Sequence, residues 1–325
     1  MLKSVGAALV AAMLALPVAA QTLRPDQAQF RALYKELVET NTTHSTGNRT
    51  LAAQRMAGHL KTAGFADADL NAFVPPGFPL DGGLIATLHG SDSKAAAIIL
   101  LAHLDVVEAK REDWTRDPFV LIEENGNFYG RGTIDDKSQA AIFTDSMARL
   151  KAKKPPLRTI KLVLTCGEES GARINNIRWL IDNHRDWLNA AFALNEGGGG
   201  TLNAQGKPQT LGFQAGEKVS QNFRIEAINP GGHSSMPRPD NAIYDLSRGL
   251  IGLADHDFPV QFNDTTRGYF GAMAGIVGGD TGKAMTELLA NPQDAAADAL
   301  VSKNAAWHSM LRTTCVATLT EGGHA

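Results

Sequence analysis

Apolar positions fall in two rhythms along this chain. Phe30, Leu33, Tyr34, Leu37 and Val38 recur at three- and four-residue steps, which predicts an amphipathic helix over 25–40. A second helix is predicted to run from an N-cap at Thr50 to about Thr62, with Gly64 beyond its end. Residues 95–107 are instead almost continuously apolar, the pattern of a parallel strand buried on both faces. Residues 159–166 and 191–194 read as further strands. Helical periodicity returns over 138–151, with Ala141, Ile142, Met147 and Leu150 available for burial, and over 174–183, with Trp179 and Leu180 as core candidates. From about Gly216 the style changes. Ser220 to Ile228 alternates like a strand with one exposed face, a helix is expected from Asn241 to about Leu253, and Thr313 to Leu319 reads as a last strand.

The 325 residues suffice for two domains, each with its own core. Hydrophobic content of 43% and a net charge of −3 without long like-charged runs suit a soluble globular protein, not one built around nucleic acid or an anionic membrane. Residues 1–20 differ. Lys3, the apolar run from Val5 to Leu16 and the small residues Val18-Ala19-Ala20 read as a signal peptide cleaved after Ala20. The competing reading is an uncleaved anchor. Export is therefore expected, with a secreted or periplasmic address and no stable membrane insertion of the mature chain. Cys166 and Cys315 are expected to be two buried thiols.

The chemistry gathers where apolar runs end. His103 and Asp105 close the 95–107 run. Gly130-Arg-Gly-Thr-Ile-Asp135-Asp136-Lys137 is a glycine-hinged turn that delivers two carboxylates as a helix begins. Glu168 and Glu169 follow the 159–166 run, and Glu196 follows 191–194. Taken alone, His103-x-Asp105 reads as a satisfied core histidine. In α/β folds, however, strand C-termini are where sites are placed, and a histidine with several acids there suits a two-metal hydrolase. His44 and His59 lack an acidic neighbour at ligand spacing and read as surface histidines.

His103-x-Asp105, Gly130-Arg-Gly-x-x-Asp135-Asp136-Lys137, Gly167-Glu168-Glu169, Asn195-Glu196-Gly-Gly and Gly231-Gly-His233-Ser-Ser-x-Pro237 occur in one order. Together they resemble the motifs of the co-catalytic zinc peptidase family of glutamate carboxypeptidase, carboxypeptidase S, aminoacylase, acetylornithine deacetylase and succinyl-diaminopimelate desuccinylase. Thr165-Cys-Gly-Glu-Glu and the glutamate at 196 lean towards the carboxypeptidase S and dipeptidase side. The resemblance implies an α/β fold. A catalytic domain over 21–215, with a mixed, largely parallel sheet flanked by helices, would be joined to an α+β lid and dimerisation domain over 216–325.

It also implies roles. Two zinc ions would be bridged by Asp135, with His103 and Glu196 completing one site and Glu169 binding the other. Asp105 would hold the imidazole of His103, and Glu168 would be the general base acting on metal-activated water. The Asp135–Asp136 peptide would be cis. His233, in the lid, would bind substrate, usually at the partner subunit's site of a homodimer. The substrate would be a small peptide or N-acyl amino acid. Family members run well past this length, and a returning segment carries a last metal-binding histidine. The chain would then be truncated inside the lid, and its second zinc site would have only Asp135 and Glu169. His324 matches the lid turn and is not a candidate ligand. A catalytically inactive binding or dimerisation module is the alternative. A non-metal hydrolase is disfavoured, because no Gly-x-Ser-x-Gly elbow accompanies these acids.

Overall fold

The computed structural model describes residues 23–169 and 174–323. The predicted signal peptide and His324 lie outside that range. The chain divides into two compact units between Gly197 and Gly198.

The first unit opens with α1 (Pro25–Val38), whose start is fixed by Pro25 at its first position and by the Gln27 side chain accepting the Arg24 amide at 3.0 Å. Its buried stripe is Leu33, Tyr34, Leu37 and Val38. In α2 (Arg49–Thr62) the cap is Asn48, not Thr50, because Asn48 Oδ1 accepts the Leu51 amide at 2.8 Å. Thr50 is one residue inside the helix, and its hydroxyl donates to Pro79 O and accepts from Gly82 N instead. The strands β1 (Leu70–Phe73), β2 (Gly83–Leu88) and β3 (Ile98–His103) follow. A small hairpin of β4 (Ile122–Glu124) and β5 (Asn127–Tyr129) precedes α3 (Lys137–Lys151). The unit closes with β6 (Ile160–Thr165), α4 (Asn176–Asn183) and β7 (Phe192–Leu194).

Five of these strands form one mixed sheet in the order β1-β2-β6-β3-β7. The β1–β2 and β2–β6 pairs are antiparallel, whereas β6–β3 and β3–β7 are parallel. Strand alternation divides the side chains between two layers. Leu84, Ala86, Leu162 and Leu164 face the cluster formed with α1, α2 and α3, while Ile85, Ile99 and Val163 face Leu180 of α4. Each fully buried leucine of this kind contributes about 1.5–3 kcal/mol. In α3 the inward stripe is Ala140, Ala141, Thr144, Met147 and Ala148. Ile142 is 50% exposed, one helical step off the stripe expected for it.

The second unit holds the hairpin β8 (Gly199–Leu202) and β9 (Pro208–Gly212) and the helices α5 (Ala242–Ala254), α6 (Asp264–Val277), α7 (Gly279–Ala290), α8 (Ala295–Val301) and α9 (Ala305–Leu311). Phe270, Met285, Leu288, Val301 and Leu311 make its small core. Its division from the first unit falls upstream of the change in residue pattern near Gly216, since the hairpin belongs with it. Two expected strands do not form: neither 220–228 nor 313–319 is paired with another strand among the described residues. Phe223, Ile228, Val316 and Leu319 are correspondingly exposed, because alternation alone does not make a ladder without a neighbouring edge. Cys315, on the second of these segments, is exposed rather than buried. Cys166, just beyond the end of β6, is buried as expected.

Candidate metal centre

Strand register assembles the site. His103 lies opposite Thr165 in the parallel β3–β6 pair, so Gly167, Glu168 and Glu169 emerge beside it. Leu100 lies opposite Leu194 in the β3–β7 pair, and Glu196 emerges on the other side. Three adjacent parallel strands thus deliver a histidine and acids at their C-terminal ends, where open α/β sheets place ligands. Asp135 reaches the same point from the turn before α3, across an Asp135–Asp136 peptide that is cis.

The imidazole of His103 is 4% exposed and oriented from both sides. Its Nδ1 lies 3.0 Å from the main-chain O of Asp105, a donor geometry that leaves Nε2 directed at the acids. Nε2 is 3.0 Å from Asp135 Oδ1, 3.6 Å from Glu196 Oε1 and 4.0 Å from Glu168 Oε2. Among the described residues, His103, Glu168 and Glu196 can each bring one ligand atom within 4.8 Å of the others. The carboxylate of Asp105 is behind the imidazole. Its Oδ1 is 3.6 Å from Nδ1, too long for a hydrogen bond, and its Oδ2 accepts the Glu169 amide at 3.0 Å. The side chain of Glu169 is half-buried and outside the His103–Glu168–Glu196 group. His233 is in the second unit, in an exposed turn where its Nδ1 accepts from Ser235 N at 3.2 Å and pairs with Ser235 Oγ at 2.7 Å.

The charges respond to this crowding. Burial works against the imidazolium of His103, but the neighbouring Asp105, with Asp136 and Glu196, outweighs it and pushes the group up to about 10. Burial also opposes the Asp105 carboxylate, yet the His103 charge and the Glu169 amide hold it below the usual range. Burial raises Asp136 to about 7 and, with the negative charge of Asp135, raises Glu169. One imidazole and several oxygen donors that mutually resist ionisation are the donor chemistry a divalent cation satisfies.

Two further residues carry the geometry. Asp136 is 2% exposed and its Oδ2 accepts the main-chain N–H of His103 at 3.2 Å. Lys137 is fully buried and donates to Thr40 O at 2.8 Å and Val38 O at 3.3 Å. Both stand in the motif that the sequence singles out. Their roles depend on partners dozens of residues upstream, so composition and spacing carried no signal for them. Of the two histidines set aside, His59 pairs with Glu36 at 2.7 Å on the helical surface. His44 is half-buried, and its Nδ1 is shielded without a hydrogen-bond partner.

Comparison with known proteins gives the family of the chain. The family model described as Peptidase family M20/M25/M40 matches residues 99–309. The N-fatty-acyl-amino acid synthase/hydrolase PM20D1 of Homo sapiens is 32% identical over 185 residues, covering 55% of this chain and 36% of that protein. A probable carboxypeptidase S-like 1 of Dictyostelium discoideum is 30% identical over 180 residues, covering 53% of this chain and 37% of that protein. The chain spans a little over a third of the length of these curated relatives. Among solved structures, the M20 family metallo-carboxypeptidase Sso-CP2 of Sulfolobus solfataricus superposes with a TM-score of 0.46 at 22% identity. It covers 56% of this chain and 39% of that one.

Proposed function

The chain belongs to Peptidase family M20/M25/M40, and from that premise we propose that it is the catalytic part of an exported, zinc-dependent hydrolase of peptides or N-acyl amino acids. The observation that carries this reading is the convergence of the Asp135, Glu168 and Glu196 carboxylates on Nε2 of one buried histidine, each within 4.0 Å. The names of the relatives, an N-fatty-acyl-amino acid synthase/hydrolase and a carboxypeptidase S-like protein, support the substrate class.

Asp135, His103, Glu196 and Glu169 are the residues that would hold zinc: Asp135 could offer one oxygen to each of two ions, His103 and Glu196 would serve one and Glu169 the other. When bound, the metal supplies Lewis acidity for the scissile carbonyl and the attacking water. The remaining work falls to the chain's own side chains. Asp105 orients His103 through its main-chain O and sets the neighbouring glutamate loop through its carboxylate. Glu168 is 56% exposed at its side chain, as suits a base that must meet water and substrate. It takes the proton from the attacking water and returns it to the leaving amine, so that the amide C–N bond breaks with a neutral amine departing. His233 is assigned to substrate binding, and dimerisation to the second unit. Export rests on residues 1–20, and an amino terminus at Gln21 in the protein recovered from its host would support it.

The test is Glu168→Gln. A general base is lost and one oxygen donor is kept, so hydrolysis of dipeptide and N-acyl amino acid substrates should fall by roughly 100-fold or more while zinc content stays at the wild-type value. Activity that survives the substitution sinks the assignment of Glu168. Zinc lost together with activity would make Glu168 a ligand.

A further inference from the structure

We infer that Lys137 is a positioning residue for Asp135, working through the C-terminal end of α1; the inference rests on the metal-site reading above. Asp135 is on a turn, and turns hold a carboxylate to the accuracy a metal needs only when something fixes them. Two residues further on, Lys137 anchors that turn twice. Its main-chain N–H donates to Gly132 O at 3.2 Å, closing the turn on itself. Its ammonium passes into the interior and donates to Thr40 O and Val38 O. Val38 is the last residue of α1, where helix carbonyls lack intrahelical partners and the helix dipole favours a cation.

The stem of the lysine is part of the same construction. Gly132 has φ of +80°, and a Cβ there would lie 2.6 Å from Val106 Cγ1 and 3.1 Å from Lys137 Cδ. The turn thus packs directly on the lysine stem and on the residue that follows Asp105. Val106 is joined in turn to the segment that follows α1, through its amide donating to Thr42 O at 3.3 Å and a bridge to Thr43. The segment 40–43 supplies none of the acids, yet it holds the His103–Asp105 strand end and, through Lys137, the Asp135 turn.

Among the described residues no carboxylate pairs with Lys137, whose fully buried side chain is bonded to main-chain carbonyls. A buried ammonium bonded only to carbonyls is a poor device for stability, since an apolar side chain of the same length avoids its desolvation. What it supplies is a fixed distance between α1 and the turn.

The experiment is Lys137→Met, which keeps the stem and removes the donors. Zinc affinity of the chain, measured by calorimetric titration against a competing chelator, should weaken roughly 10- to 100-fold, as on loss of other outer partners of metal ligands. The metal-free variant should keep its circular dichroism and thermal midpoint, and its crystal structure should show Asp135 Oδ1 displaced from its 3.0 Å approach to His103 Nε2. Unchanged affinity with an unchanged approach overturns the inference. A variant that fails to fold also overturns it, because the ammonium would then serve the fold itself. A wild-type chain that takes up no zinc sinks the metal reading alone, and the His103–Asp135 separation in the variant still decides the role of Lys137.

Discussion

Asp105 Oδ2 accepts the main-chain N–H of Glu169 at 3.0 Å, joining the end of β3 to the loop that carries both glutamates. One carboxylate therefore acts on two elements: it lies behind the imidazole of His103 and it sets the path of 167–169. Replacing it by asparagine keeps an acceptor and removes the charge. In Asp105→Asn the His103 imidazole should lose its main raising partner and titrate well below about 10 in the metal-free protein. Zinc affinity should fall roughly 10- to 100-fold. Proton NMR of the histidine rings and zinc titration check both halves, and an unmoved His103 titration would show that the carboxylate does not govern the ring.

Gly167 offers a sharper handle on the same loop. Its φ is +88°, and a Cβ built there would lie 1.9 Å from Ile174 O. A side chain is excluded twice, by backbone conformation and by space. Gly167→Ala must displace the loop that bears Glu168, and misplacing a catalytic group by about 1 Å costs on the order of 100-fold in rate. The expectation is a kcat reduced to that degree with KM far less changed, read from steady-state hydrolysis. Wild-type kcat would mean that the loop absorbs the methyl group without moving Glu168.

The first unit is more legible in the sequence than the second, for a physical reason. Runs such as 98–103 and 160–165 are buried on both faces, so their apolar continuity is unambiguous, and acids at their ends are visible as exceptions to it. Register then did what no sequence pattern shows, pairing His103 with Thr165 and Leu100 with Leu194. Thr50 looked like a cap because threonine before an apolar run has the right chemistry, but Asn48 is two residues nearer the chain's turn and offers a better acceptor. Residues 220–228 alternate as a strand should, yet alternation describes a surface and not a partner. Lys137 could not be foreseen as buried, because its acceptors, Val38 and Thr40, are nearly a hundred residues away in sequence.

Zinc uptake should depend steeply on pH. In the metal-free fold the imidazole of His103 is raised from about 6.5 to about 10. Its charged form therefore contributes stability that is fully present below the ordinary histidine value and is lost as pH rises through about 10. Coordination needs the neutral ring, so binding near pH 7 must expel that proton, and Asp136 and Glu169, both raised, act in the same direction. Apparent affinity should increase by up to about tenfold per pH unit between 6 and 9. Calorimetry at pH 7 in two buffers of different ionisation heat should report release of about one proton or more per first zinc. Binding without proton release would mean that His103 is neutral in the metal-free protein.

Beneath the site, Arg49 and Asp81 form an ion pair with both side chains at most 8% exposed. Arg49 Nε donates to Asp81 Oδ1 at 3.1 Å, and Nη1 donates to Thr43 O and to Gly47 O, the latter at 2.8 Å. The main-chain O of Asp81 accepts the Cys166 thiol at 3.2 Å, so the pair lies between the 43–47 loop and the strand end before Glu168. Removing either partner breaks a buried pair, and without Asp81 the Arg49 guanidinium loses its carboxylate. Asp81→Leu and Arg49→Met should each destabilise the first unit by about 3–5 kcal/mol, and the double substitution should cost far less than their sum. Urea denaturation of the four proteins closes the cycle. Arg49→Met should also lower activity at temperatures where the unit is still folded, because the Thr43 and Gly47 carbonyls lose their Arg49 donor. Additive single costs would show that the pair contributes as two separate hydrogen-bonding groups and not as a coupled charge pair.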